Sequence, residues 1–170
     1  MISVTPQTLI MAQAGGPCVL VLIPTDDLGK QKNTRIIPIW LGMAEATSLS
    51  FALEGHHLQR PMTHTLFIEA LHELGANVDR VEIVEVRGHT FYANLILRTD
   101  NRIITLDSRP SDAIALALLQ NAPIYIADDV MHVASYPFLF NKPASDEKEL
   151  EQFKEFVQSL TPDDFTIEPE

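Results

Sequence analysis

Leu106-Asp107-Ser108-Arg109-Pro110-Ser111-Asp112-Ala113-Ile114-Ala115-Leu116-Ala117-Leu118 places two carboxylates, two hydroxyls and an arginine within six residues. They stand where an apolar β-run stops and an Ala/Leu-rich helix begins. Unpaired backbone N–H groups point outward at such a junction, so sites are often built there. A capped helix start accounts for these residue types well. Ser108 or Asp107 can cap, Pro110 suits the first turn, and an early Asp112 favours the positive end of the helix dipole. The chemical reading is a hard-metal or phosphate site. Carboxylates at a strand end can hold Mg²⁺ or Mn²⁺, and an arginine can grip a phosphate oxygen.

Working outward from this stretch, strand-like and helix-like runs alternate. Residues 17–23 and 35–40 read as strands, and Pro38 places the second at an edge or a bulge because it cannot donate to a ladder. Residues 43–54 read as a helix stopped by Gly55. Residues 63–74 read as another, with Thr63 as its cap and Leu66, Phe67, Ala70, Leu71 and Leu74 as its apolar face. A meander of 81–86, 90–98 and 102–107 follows, and its middle strand alternates Phe91, Ala93, Leu95 and Leu97 with Tyr92, Asn94, Ile96 and Arg98. Helix 110–120 and a short strand 123–127 come next. A charged helix at 145–160 carries a stripe of Leu150, Phe153, Val157 and Leu160.

A repeat at an offset of 67 matches Arg35-Ile36-Ile37 with Arg102-Ile103-Ile104, Glu45-Ala46 with Asp112-Ala113, and Leu49 with Leu116. Two copies of a strand–turn–helix unit imply a mixed sheet with helices packed on it. The expected boundaries are 1–143 for the folded domain and 144–170 for an acidic helical tail.

The 170 residues are 46% hydrophobic and 21% charged, as in a chain that buries a real core. The longest fully apolar run, Ala113–Leu119, is too short to span a membrane. The N-terminus lacks the pattern of a signal peptide. The single cysteine, Cys18, cannot form an internal disulfide, and the expected setting is cytoplasmic. Net charge is −11. Residues 145–170 hold nine Asp/Glu against two lysines, net −7; the other 144 hold fourteen Asp/Glu against ten Lys/Arg, net −4. A polyanion site must therefore be local, because broad phosphate neutralisation needs a basic protein.

A second polar motif, Arg60-Pro61-Met62-Thr63-His64, echoes the first. It reads as a capped helix, or as a site in which His64 is an acid/base and Arg60 a phosphate clamp. Glu45 matches Asp112 in the repeat, so the two can converge on one cleft. His56 and His57 read as solvated, and His72, His89 and His132 have no evident partner. A Walker glycine loop, a paired-cysteine motif and a Gly-x-Ser-x-Gly elbow are all lacking, which removes the corresponding fold classes.

Trp40-Leu41-Gly42 with Glu45-Ala46, Arg60-Pro61-Met62-Thr63-His64, Thr90-Phe91-Tyr92-Ala93, and Asp107 through Ala117 occur in order, with Pro123-Ile124 beyond. This set resembles the bifunctional nuclease domain family over about residues 1–140. The resemblance implies an α+β fold: a mixed, largely antiparallel sheet with packed helices in a single compact domain. It also implies hydrolysis of RNA and DNA and self-association into homo-oligomers. The short apolar runs give no reason to expect a membrane. Thr65 stands where members often carry Asp, and Leu119-Gln120 where they often carry Arg. On the chemistry, a divalent ion (Mg²⁺ or Mn²⁺) would rest on Asp107, Asp112 and Glu45. Arg60 and Arg109 would stabilise phosphorane charge, and His64 would shuttle a proton. The rival expectation is a non-catalytic oligomeric module that binds a protein partner or a small anionic ligand. In it the same residues form an ion-pair network between helix starts.

Overall fold

The computed structural model describes residues 1–11, 18–28, 34–55, 59–88 and 90–137. The expected helix at 145–160 and His56, His57 and His89 lie outside the described residues. Eight strands and four helices follow one another: β1 (Ile2–Met11), β2 (Cys18–Pro24), β3 (Arg35–Leu41), α1 (Met43–Glu54), α2 (Thr63–Glu73), β4 (Ala76–Arg87), β5 (Thr90–Thr99), β6 (Ile103–Ser108), α3 (Pro110–Gln120), β7 (Ile124–Ile126), α4 (Asp128–Ala134) and β8 (Tyr136–Pro137). The strands form one mixed sheet in the order β6-β5-β4-β7-β1-β2-β3-β8. Only β4 and β7 run parallel; the remaining neighbours are antiparallel. This is the α+β architecture that the family resemblance implies.

The unbroken apolar run of β2 has a direct cause, since all seven of its residues are buried. Cys18, Leu20 and Leu22 join the main core under the helices, with Ile37, Leu49, Ile83, Ile114 and Ile126. Val19, Val21 and Ile23 alternate with them and join a second cluster with Ile10 and Ile36 on the other face. A strand buried on both faces loses the polar alternation that marks a half-exposed one. α3 is the central helix and packs against both α1 and α2. Its run from Ala113 to Ala117 is buried throughout, because small residues let a helix lie close to the sheet and to both neighbours.

Four elements differ from the sequence reading. β1 has no counterpart in it, because Pro6 and a scatter of polar residues hide the strand. The structure absorbs Pro6 at a register shift between Pro6 and Thr8, where a missing N–H costs no ladder bond. α4 and β8 are too short to carry a period. β4 begins at Ala76, well before Val81, and carries two register shifts that disturb its alternation. Pro38 fits its expected place: β8 pairs only Arg35 and Ile36, so Pro38 lies beyond that pairing.

The apolar face read for α2 is corrected. Ile68 and Leu71 are buried, whereas Leu66 is 56% exposed, Leu74 is 79% exposed, and Phe67 is also exposed. The helix is rotated so that His64, Ile68 and Leu71, spaced four and three residues apart, share its inner side. His64 is tied to α3 there, and that polar tie accompanies the rotation. Among the described residues no helix is long and apolar enough to cross a membrane.

Candidate functional site

The two strand–turn–helix units become two equivalent junctions. β3 passes into α1 through the single residue Gly42, and β6 passes into α3 through the single residue Arg109; each is the N-cap of its helix. The offset of 67 maps one cap onto the other. It also maps Glu45 onto Asp112, each the third residue of its helix. Acidic side chains at that position complement the positive helix end. Neither N-cap makes a side-chain capping bond to its own helix's backbone, so the expected capping by Asp107 or Ser108 is not what starts α3. Ser108 instead donates from Oγ to the Ala93 carbonyl at 3.3 Å. Thr63 likewise is the first helical residue of α2 rather than its cap, which is Met62.

Arg109 joins the two units. Its Nη1 donates to Glu45 Oε1 at 2.9 Å. Its Nε and Nη2 donate to Asp112 Oδ2 and Oδ1 at 2.8 and 3.2 Å, the forked geometry that suits a guanidinium and a carboxylate. Asp112 Oδ1 also meets His64 Nε2 at 3.2 Å. The starts of α1, α2 and α3 therefore converge on one cluster: Glu45, His64, Arg109 and Asp112. Burial pushes the Asp112 carboxyl up, but its hydrogen bonds to Arg109 and His64 outweigh that and hold it below the usual range. The same bonds, with Asp112 first and Glu45 after it, hold the Arg109 guanidinium in its charged form. Arg109 stays 65% exposed while Glu45, Asp112 and His64 are more sheltered.

Gly42 makes room for this arrangement. A Cβ there would lie 2.5 Å from Glu45 Oε2, so the Glu45 carboxylate folds back over a cap that only glycine leaves open. The signal was present in the sequence as a glycine three residues before an acid at a helix start, the spacing of a reciprocal cap.

Two of the six candidate residues stand apart. Asp107 faces Asn94 across the ladder, while Ser108 faces Ala93. Ala93, Leu95 and Leu97 form the helix-covered face, so Asp107 projects from the opposite face of the sheet. It is exposed and has no hydrogen bond or ion pair among the described residues. Arg60 is exposed and has no ion pair there either. It lines a groove of about 360 Å³ between α1 and α2, with Phe51, Met62, His64, Thr65 and Leu119. His64 thus borders the ion cluster through Nε2 and the groove through its ring. Phe51 gave no sign of this role because an aromatic residue in a helix reads first as core. Thr65 and Leu119, two positions that depart from the resembled pattern, both line the groove.

A divalent ion does not fit this donor set. The guanidinium of Arg109 bridges Glu45 and Asp112, and Asp107 points from the other face. Among the described residues no three His, Cys, Asp or Glu side chains are grouped to hold a metal. Gln120 has a different task from the arginine often found near it. Its Oε1 accepts the Val78 N–H at 2.6 Å, next to a register shift of β4, and its amide contacts His72.

The family described as the bifunctional nuclease domain matches residues 28–138. Two uncharacterised proteins of Mycobacterium tuberculosis, Rv1829 and MT1877, from different strains, are each 37% identical over 146 residues. The match covers 81% of this chain and 85% of each relative. The ordered motifs, the repeated strand-to-helix junctions and these matches agree: the chain belongs to the bifunctional nuclease domain family.

Proposed function

We infer that this chain is a nuclease that hydrolyses phosphodiesters of RNA and DNA in the groove beside α2. The observation that carries this reading is the position of His64. Its Nε2 meets a carboxylate held ionised by Arg109, and its ring borders the groove that Arg60 lines. A carboxylate behind an imidazole fixes its orientation, leaving the other ring nitrogen to exchange a proton with substrate or water. Arg60 faces the groove with its charge uncommitted among the described residues, so it serves as the phosphate grip. Asp112 and Arg109 position His64 and do not meet substrate in this scheme. No step is routed through a metal.

Cleavage of labelled single- and double-stranded RNA and DNA tests the reading, with wild type, His64→Gln and Arg60→Ala compared with and without chelator. Loss of a general acid/base lowers the rate about 10²–10⁴-fold. His64→Gln is expected to do so while its far-ultraviolet circular dichroism is unchanged. Cleavage that survives His64→Gln would remove His64 from the chemistry. A wild type without cleavage on any substrate favours the second reading, a non-catalytic module. The observation behind that alternative is the Glu45–Arg109–Asp112 network, which accounts for these residues as a tie between α1 and α3.

A further inference from the structure

Glu69 lines the same groove as Arg60 and His64, and the proposed chemistry leaves it unused. A carboxylate near a phosphate grip opposes a polyanion unless it meets a different part of the ligand. α2 gives this one no other occupation. Four residues to either side along the helix stand Thr65 and Glu73, neither of them a cation. Glu69 is exposed and makes no hydrogen bond or ion pair among the described residues. The groove thus has two unlike ends. At one stands Arg60, and α2 begins there without a side-chain cap and without an acid in its first turn, so its N–H groups favour an anion. At the other, Glu69 lies five residues beyond His64, about 7.5 Å along the helix axis. At 3.6 residues per turn, Thr65 and Ile68 fall between His64 and Glu69 around the helix. The lining between the two ends is largely apolar, from Phe51, Ala52, Ile68 and Leu119. An anion-binding end, an apolar floor and an accepting end follow the order of phosphate, base face and base edge in a nucleotide. The volume of about 360 Å³ is at the small end of ligand pockets and suits a single nucleotide.

We propose that this groove takes one unpaired guanine nucleotide of a single strand, its phosphate at Arg60 and its base edge at Glu69. The inference rests on the reading of Arg60 as the phosphate grip and names what that site selects. A carboxylate accepts hydrogen bonds and donates none. Guanine alone among the bases presents two adjacent donors, N1–H and the N2 amino group, which match the two oxygens of Glu69. Adenine and cytosine set one amino group beside an accepting ring nitrogen. Uracil and thymine set one N–H between two carbonyls. Each of these turns an acceptor toward the carboxylate. In a duplex both guanine donors are spent on cytosine, so a single strand is what offers them to a side chain. The apolar floor receives the face of the base, a contact that every base can make, so the choice among bases falls to Glu69.

Calorimetric titration of the full chain with guanosine, inosine and adenosine 5′-monophosphates tests this, with Glu69→Gln and Arg60→Ala beside wild type. Inosine keeps N1–H and lacks the N2 amino group. Wild type is expected to bind the guanosine nucleotide about tenfold or more tighter than either rival, the factor that a hydrogen bond to a carboxylate carries. Glu69→Gln should bring the three affinities together with its melting curve unchanged, because the side chain is exposed. Arg60→Ala should weaken all three alike. Cleavage of single-stranded oligonucleotides that differ at one position should favour guanine there, and Glu69→Gln should lose that bias. Equal or undetectable affinities in wild type, a guanosine preference kept in Glu69→Gln, or an Arg60→Ala chain that binds as wild type does each overturns the proposal, whether or not the chain cleaves. Cleavage that depends on His64 but shows no base preference overturns this proposal and leaves the nuclease reading standing. A guanosine preference in a chain that cleaves nothing overturns the nuclease reading and leaves the groove as a guanine site.

Discussion

Asp112→Asn keeps the shape of the side chain and removes its charge, so it isolates what that charge does at the junction of three helices. Two ionic partners are weakened, Arg109 and His64, and an acid is lost from the first turn of α3. Arg109 is largely exposed, so its pair with Asp112 belongs to the class worth about 0.2–1 kcal/mol rather than to buried pairs. The helix-end interaction adds about 0.3–1 kcal/mol. The sum is about 0.5–2 kcal/mol, which for a chain of this size lowers the melting temperature by about 1–8 °C. The pH dependence has a definite sign. The Asp112 carboxyl titrates below its ordinary value of 3.8 in the folded protein. Its contribution is therefore complete above the unfolded value and is lost as pH falls through the folded one. Calorimetric melts of wild type and Asp112→Asn should differ by that amount near neutral pH and converge in acid. Salt should narrow the neutral gap, because exposed pairs are screened. Equal melting at neutral pH, or a gap that persists unchanged into acid, would refute the assignment of Asp112 as the charged centre of the cluster.

Gly42→Ala drives a Cβ to 2.5 Å from Glu45 Oε2, so the flexible carboxylate yields and its bond to Arg109 opens. The cost is about 0.5–1.5 kcal/mol, and a double-mutant cycle with Arg109→Ala should show the two changes to be non-additive. Gln120→Leu leaves the buried Val78 N–H without its acceptor and should cost about 1–3 kcal/mol by chemical denaturation. The cost would fall near zero only if β4 re-registers, and amide exchange at Val78 reads that directly. Glu45→Gln weakens one of the two holds on Arg109 and removes a negative charge. Fluorescence anisotropy with a short single-stranded oligonucleotide should then show binding tightened several-fold, with a steeper salt dependence; weaker binding contradicts the view that Glu45 restrains Arg109.

The sheet order could not be read from local pattern, but most elements could. β2, β3, β5, β6 and the three long helices announce themselves by apolar runs, alternation and punctuating glycines. β1 does not, because its Pro6 is tolerated only by a bulge that depends on β2. The inner face of α2 was misread for a similar reason: two apolar stripes share Leu71, and a long-range contact between His64 and Asp112 accompanies the one chosen. The site was legible in its parts. The repeat related Glu45 to Asp112 before any coordinates, and the two Arg-Pro motifs marked two of the converging helix starts. Which way Asp107 faces was not legible, because side chains one residue apart on a strand point to opposite faces and the end of the strand decides the outcome.

Charge accounting separates the two arginines that the sequence presents as equivalent. Glu45 and Asp112 together carry two negative charges, and Arg109 neutralises one of them. The cluster is thus net negative unless His64 is protonated, within a chain whose own net charge is −11. A phosphate approaching Arg109 must compete with two carboxylates that already hold it. A phosphate approaching Arg60 meets no such rival among the described residues. Thr65 and Leu119 add no charge to the groove, whereas Glu69, which also lines it, adds a negative one. In the proposed scheme the attraction for a polyanion therefore enters at Arg60 rather than at Arg109. In the same scheme substrate contact and proton transfer would both draw on the same imidazole, while Arg109 holds that imidazole's carboxylate in place.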